Sequence, residues 1–277
     1  MLSVSTLSGF GRSGSVVAAV RELGELGFEA VELSADAAAP DGLAAAALCR
    51  EKRVQVRTIA APFSELPWVD GDPTRDLAST DDARRRRSVA AVLAAVPAAA
   101  VVQAEAIVVR FGEMELAGES PDPEVRRATR DRWLDAAARS LFDLTRACPD
   151  VTFAVRTPGT WRGLPDPDEM EMLFDDAGDA RVGYAHDVAA ADRLGAAGLA
   201  DPAAWLARHG PRAVRVVLSD RIGDLDRLPP GGGEVDWAVV AAGVAASMSP
   251  VLEVGANHSP AEIVRAAEFL RDRGIVG

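Results

Sequence analysis

Short runs rich in valine and isoleucine recur along the chain, and stretches with helical spacing of apolar positions lie between most of them. Eight runs stand out: Leu2 to Ser8, Ala30 to Ser34, Val54 to Pro62, Ala106 to Gly112, Val151 to Thr157, Val182 to Ala189, Ala213 to Asp220 and Pro250 to Ala256. Most are apolar at consecutive rather than alternate positions, the pattern of parallel strands covered on both faces. Parallel strands need crossovers, and the intervening segments supply them.

The helix ends carry their own signals. Asp122-Pro123, Asp166-Pro167, Asp201-Pro202 and Ser259-Pro260 each set a capping side chain before a proline at the first helical position. In the last of these Glu262 completes a capping box, Ile263, Ala267 and Leu270 share one face, and Gly274 stops the helix. In the first helix Val16, Val20 and Leu23 face inward and Gly27 ends it. Eight strands alternating with helices over about 250 residues predict a closed (β/α)8 TIM barrel, one domain over residues 1–277. An open doubly wound sheet would want a glycine-rich phosphate turn after its first strand. Gly9-Phe10-Gly11-Arg12-Ser13-Gly14 matches loosely, but no suitably placed ribose acid follows.

Composition narrows the partners. The apolar tract Ser88 to Val109 is interrupted by Pro97, Gln103 and Glu105, which predicts a helix end and a buried strand rather than a membrane span. No basic region precedes the short apolar run at the N-terminus, so the expected location is the cytosol. A net charge of -12 argues against a nucleic-acid partner, because phosphate binding releases counterions to a basic surface. The one basic cluster, Arg84 to Arg87, is expected to be a solvated helix start balanced by Asp81 and Asp82. Cys49 and Cys148 sit at predicted helix ends without metal spacing and are expected to be reduced.

In such barrels the active site lies at the C-terminal ends of the strands. Those ends carry Glu32, Arg57, Arg110, Arg156, Asp187, Ser219 with Asp220, and Glu253. Val151 to Ala191 reads as strand, loop, helix, strand, and brings Arg156 and Asp187 side by side. If Asp187 faces inward, alternation turns His186 toward the helices, where a structural role is expected of it.

Several segments, in order, resemble the xylose isomerase-like sugar isomerases and epimerases. LGFEAVEL (Leu26 to Leu33) is similar to that family's second strand, VTFAVRTPG (Val151 to Gly159) to its fifth and VGYAHDVAAA (Val182 to Ala191) to its sixth. VRVVLSD (Val214 to Asp220) is similar to the seventh, PPGGGEVDW (Pro229 to Trp237) to the loop after it, and VLEVGA (Val251 to Ala256) to the eighth. The resemblance implies a divalent metal held by a glutamate on the fifth strand, an aspartate on the sixth, a histidine on the seventh and a glutamate on the eighth. It also implies a diol or hydroxyketone substrate on that metal, with carboxylates moving the proton. Asp187 and Glu253 stand at the sixth and eighth positions. Arg156 stands at the fifth and Val217 at the seventh, while Ala190 and Arg110 replace two further histidines common in the family.

A guanidinium between two carboxylates repels a divalent ion and removes a donor, so the expectation is a pocket without a metal or other cofactor. A divalent ion at Asp187 and Glu253 is the alternative. Arg156 is expected to neutralise both carboxylates. Asp187, Glu253 and Arg156 are the expected catalytic residues, and Arg57, Arg110, Glu32 and Ser219 the expected substrate-binding ones. The arginines suit a carboxylate or phosphate on a small-molecule substrate; tying them up in structural ion pairs is the competing reading. Trp68 and Trp161 are expected either to cover the ligand as lids or to pack their loops. Two functions remain open: an isomerase- or epimerase-like enzyme working through an enolate, and a non-catalytic anion-binding barrel. An endonuclease of the same fold would need more metal ligands and a basic face. The family resemblance implies a homodimer as a possible assembly.

Overall fold

A computed structural model describes residues 1–8, 15–33, 40–61, 76–112, 123–160, 162–163, 165–178, 181–245, 247–255 and 257–277. Its centre is a closed barrel of eight parallel strands. They are β1 (Ser3–Ser5), β2 (Ala30–Leu33), β3 (Gln55–Ala60), β4 (Ala106–Val109), β5 (Phe153–Arg156), β6 (Val182–Asp187), β7 (Ala213–Leu218) and, after a short hairpin of β8 (Asp220–Ile222) and β9 (Leu225–Leu228), β10 (Ser249–Leu252). The barrel closes where Ser3 pairs with Val251 and Val4 with Leu252. The eight predicted runs are the eight barrel strands; the hairpin was not predicted.

Ten helices are described around the barrel: α1 (Val16–Glu25), α2 (Pro40–Lys52), α3 (Asp82–Leu93), α4 (Val96–Val102), α5 (Pro123–Ala147), α6 (Pro167–Ala177), α7 (Val188–Ala196), α8 (Pro202–His209), α9 (Trp237–Gly243) and α10 (Pro260–Asp272). The capping boxes form at Asp166 with Glu169 and at Ser259 with Glu262. Gly27 and Gly274 take the positive φ that lets the chain leave α1 and α10. Among the described residues no helix is long and apolar enough to cross a membrane.

Alternation along the strands divides the interior into two unlike layers. One face of each strand meets the helices and is apolar: Val4, Val31, Ile59, Ile107, Phe153, Tyr184, Val216 and Leu252 all belong to one buried cluster. The other face lines the barrel, and there Ala106, Val108, Ala154 and Ala185 form a small separate cluster. Barrels of this kind are commonly filled by bulky branched side chains. Here small residues leave room for long charged ones, and Glu32, Arg156, Arg215 and Glu253 are all buried.

The basic run on α3 is the expected helix start balanced by Asp81 and Asp82, with Arg86 and Arg87 exposed, except at Arg85. Asp81 does cap the helix, accepting from the Ala83 and Arg84 backbone N–H groups. Arg85, however, is only 5% exposed. It donates to Asp82, Asp143 and Ser140, so it ties α3 to α5. Cys49 and Cys148 are free thiols, and burial pushes that of Cys49 up to about 12.

Candidate functional site

Arg156 ends β5 and Asp187 ends β6, and the register sets Arg156 beside Ala185, two residues before Asp187. Glu253 follows β10, anchored by its N–H to the Leu218 carbonyl. These backbone positions converge on one guanidinium. Arg156 Nε and Nη2 donate to Asp187 Oδ2 at 2.9 and 2.7 Å, and Nη2 also donates to Glu253 Oε1 at 2.8 Å. Nη1 reaches Glu253 Oε2 at 3.5 Å. The remaining Asp187 oxygen accepts from the Ala190 N–H at 3.1 Å and caps α7. One carboxylate therefore starts a helix and holds the arginine at once.

Below this group lies a second one that the sequence reading missed. Arg215, third residue of β7, is fully buried and runs between Glu32 and Glu253, with Nη2 hydrogen-bonded to Glu32 Oε1 and 3.4 Å from Glu253 Oε2. Thr58 Oγ1 donates to the other Glu32 oxygen at 2.7 Å. Toward solvent, Arg110 Nη2 lies 3.5 Å from Asp187 Oδ2, and Arg227 Nε lies 3.8 Å from Glu253 Oε1. The result is a chain of alternating charge, Glu32–Arg215–Glu253–Arg156–Asp187–Arg110, with Arg227 joined at Glu253. Among the described residues it holds four guanidinium groups and three carboxylates. Arg110 and Arg227 carry its outer cationic edge, each with a side chain 27% exposed.

The electrostatics follow from burial and neighbours. Burial pushes the Asp187 carboxyl up, but Arg156 and Arg110 outweigh it and hold the group below the usual range. For Glu253 burial is again opposed, by Arg156, Arg215 and Arg227, and the net result is a strongly acidic carboxyl. Glu32 goes the other way, because burial and the Glu253 charge exceed what Arg215 and Thr58 return. Burial and the Arg156 charge bring Arg110 down to about 9, which leaves it protonated at neutral pH.

Not every expected residue belongs to this place. Arg57 does not lie at the mouth: it is third of six residues in β3, and it pairs with Glu105 at 2.7 Å. Glu105 precedes β4 and accepts from Ser249, the first residue of β10, so this pair sits at the opposite end of the barrel. Glu32 is inside the barrel below Arg156; like Glu253 it has no exposed surface, and it is held by Thr58 and Arg215 away from the outer arginines Arg110 and Arg227. Ser219 follows β7 and is buried. Asp220 beside it organises the next loop, accepting from the N–H groups of Gly231 and Val235 and from Trp237 Nε1. Trp68 and Trp161 lie outside the described residues. His186 does face the helices, with Nδ1 2.8 Å from the Tyr184 hydroxyl.

Alternation along Val214 to Asp220 was the signal for Arg215, since it puts Arg215, Val217 and Ser219 on the face opposite the apolar Val216 and Leu218. No comparable signal marks Arg227, which sits at positive φ in a hairpin whose sequence looks like loop.

A divalent ion does not fit this donor set. Both oxygens of Asp187 and both of Glu253 already face N–H donors, and a buried guanidinium stands between the carboxylates. Among the described residues no group of three or more His, Cys, Asp or Glu side chains is placed to hold a metal.

A family model described as xylose isomerase-like TIM barrel matches residues 20–273. No curated protein matches the chain. Among solved structures, a D-tagatose 3-epimerase-like protein superimposes with a TM-score of 0.77 at 18% identity, over 99% of this chain and 97% of that one. The apo form of 3-keto-D-glucoside 4-epimerase from E. coli gives 0.74 at 16% identity, over 98% of each chain. D-allulose 3-epimerase from Methylomonas sp. gives 0.70 at 14% identity, over 98% of this chain and 97% of its own. At such identities these likenesses concern the fold.

Proposed function

Given that the chain belongs to the xylose isomerase-like TIM-barrel family, we propose that it is an isomerase- or epimerase-like enzyme acting without a metal on a small, anionic, sugar-like or hydroxy-carbonyl substrate. The observation that carries this reading is the Arg156 guanidinium set between Asp187 and Glu253 at the strand ends. A fixed cation there neutralises the two carboxylates and presents N–H donors to a substrate oxygen.

In the proposed chemistry Glu253 or Asp187 removes the proton on the carbon next to the substrate carbonyl. The C–H electrons move to the carbonyl oxygen, and Arg156 holds the resulting enolate. Return of the proton to the opposite face gives an epimer. Its delivery to the former carbonyl carbon, with the neighbouring hydroxyl proton passing to the former carbonyl oxygen so that the new C=O forms where that hydroxyl stood, gives an isomer; dehydration or cyclisation would start from the same enolate. Arg110 and Arg227 take the substrate's carboxylate or phosphate. As the substrate oxygen draws Arg156 hydrogen bonds away from a carboxylate, that carboxylate becomes a stronger base.

One observation favours the second reading, a binding barrel. Both carboxylates are already satisfied by Arg156 and held below their usual pKa, and a base so weakened is poorly matched to proton transfer at neutral pH. The two readings separate in D2O. Sugar phosphates, aldonates and hydroxy-keto acids are incubated with the protein, loss of the proton next to the carbonyl is followed by NMR, and binding is followed by calorimetry. Exchange that disappears in Glu253→Gln or Asp187→Asn supports the enzyme. Binding without exchange supports the binding barrel, and neither exchange nor binding across the panel contradicts both.

A further inference from the structure

On the side of β6 turned away from the barrel axis, α7, α8 and α9 leave a cavity of about 630 Å3. Its walls are mainly apolar, with Val188, Leu206, Val239 and Val240 among them, and Asp192, Asp201 and Asp236 also line it. The volume falls within the range of small-molecule sites, roughly 300–1,000 Å3. One polar ring lies in this lining. His186 is 3% exposed, its Nδ1 is bonded to Tyr184, and Nε2 has no hydrogen-bond partner among the described residues. A polar nitrogen turned to an apolar cavity is what fixes the orientation of a ligand there.

The hydrogen bonds around Tyr184 set which kind of group Nε2 is. Burial lowers the His186 pKa to about 4, so the ring is neutral and carries one proton. Thr157 Oγ1 accepts from the Asp187 N–H at 3.1 Å and lies 2.7 Å from the Tyr184 hydroxyl, against 3.5 Å from the Ala185 carbonyl. In the arrangement proposed below, Thr157 donates to Tyr184 rather than to the more distant Ala185 carbonyl, and Tyr184 in turn donates to His186 Nδ1. The imidazole proton is then on Nε2, facing the cavity.

We infer that this cavity is a second ligand site, separate from the barrel mouth, for a neutral and largely apolar small molecule whose one carbonyl-type oxygen accepts the His186 Nε2 proton. Asp192 in the lining is paired with Arg221, but Asp201 and Asp236 disfavour an anion, which distinguishes this ligand class from the one proposed at the mouth.

The test uses the intact protein labelled with 15N in histidine and in the backbone, titrated with three probes of one shape: cyclohexyl methyl ketone, cyclohexanecarboxylate and cyclohexylamine. The ring nitrogen spectrum of His186 is expected to show a protonated Nε2. The ketone is expected to shift that signal saturably, with at least about tenfold higher affinity than the carboxylate or the amine. Ala207, an exposed residue of the lining, supplies the control, because Ala207→Trp fills the space from the solvent side and is expected to abolish the ketone shift while the fold stays intact. A proton found on Nδ1 instead, no saturable shift at His186, equal binding of all three probes, or ketone binding that survives Ala207→Trp would each overturn the inference.

Discussion

Two arginines inside this barrel each bridge carboxylates, and they differ in what else can reach them. Arg215 and Glu32 form a sealed couple with no exposed surface in either side chain. Arg156 with Asp187 and Glu253 sits one layer higher, beside Arg110 and Arg227, whose side chains are each 27% exposed. Both layers pair guanidinium with carboxylate and meet at Glu253, but they differ in distance from the mouth and in the carboxyl shift, which is upward for Glu32 and downward for Asp187 and Glu253. The lower couple fills a barrel whose other inward residues are small, so its loss is felt as stability. The upper group lies nearer the mouth, with Glu253 itself unexposed, and under the proposed function its loss is expected in binding and turnover as well.

The largest expected effect tests the lower layer. Arg215→Met strips the buried Glu32 and Glu253 carboxylates of a shared cation and is expected to cost about 3–5 kcal/mol of stability in denaturant unfolding. The double variant Glu32→Met with Arg215→Met removes both charges and is expected to recover most of that loss. A single variant as stable as the parent would show that the sealed couple does not hold the barrel.

The upper layer is expected to respond in activity as well as in stability. Glu253→Gln and Asp187→Asn should each lower turnover by about 100-fold or more, measured on the substrate found in the D2O screen at a temperature where near-UV circular dichroism shows the variant folded, and each should also lose the stability its buried ion pair supplies. Full activity in both variants would erase the distinction between the layers. Arg110→Ala, at the exposed edge, should change stability by less than about 1 kcal/mol. Its effect should instead appear as weaker binding of an anionic ligand, and the weakening should shrink as salt is added.

Acid sharpens the contrast further. Asp187 and Glu253 have folded pKa values below their unfolded ones, so their stabilisation is present above the unfolded pKa and is lost only as pH falls through the lower folded values. Glu32, with its raised pKa, contributes with the opposite sign and favours the folded state as it takes up a proton. Neither layer should therefore lose stability between pH 6.5 and 5. Histidine behaves differently. His186, neutral in the fold down to about pH 4, should cost up to about 3 kcal/mol as pH falls from its unfolded pKa near 6.5 toward 4, since only the unfolded chain takes up that proton. His209 is lowered too and acts in the same direction. A His186→Gln variant should flatten this part of the stability profile measured by urea unfolding.

How legible each layer was depends on what a strand pattern can carry. The barrel could be read because consecutive apolar runs separated by capped helices leave few other folds. Asp187 and Arg156 could be placed because each ends its strand just before a helix or loop signal. Arg57 was misplaced because VQVRTIAAP holds no punctuation before Pro62, so the run does not say that the strand continues three residues past the arginine. Glu32 looked like a residue of the mouth because its strand ends one residue later, at Leu33; that a long side chain from β7 would cross the barrel and seal it is a property of packing, not of local pattern. Arg227 was out of reach for the same reason, since its hairpin owes its place to the loop that Asp220 ties down.

The central claim is that the Arg156 guanidinium occupies the place where a divalent ion would stand, and elemental analysis of the protein tests it most directly. Protein purified without chelator and passed over a desalting column is expected to carry Mg, Mn, Co and Zn well below one ion per chain. A stoichiometric divalent ion that is retained by the parent protein and lost in Asp187→Asn and Glu253→Gln would contradict the claim.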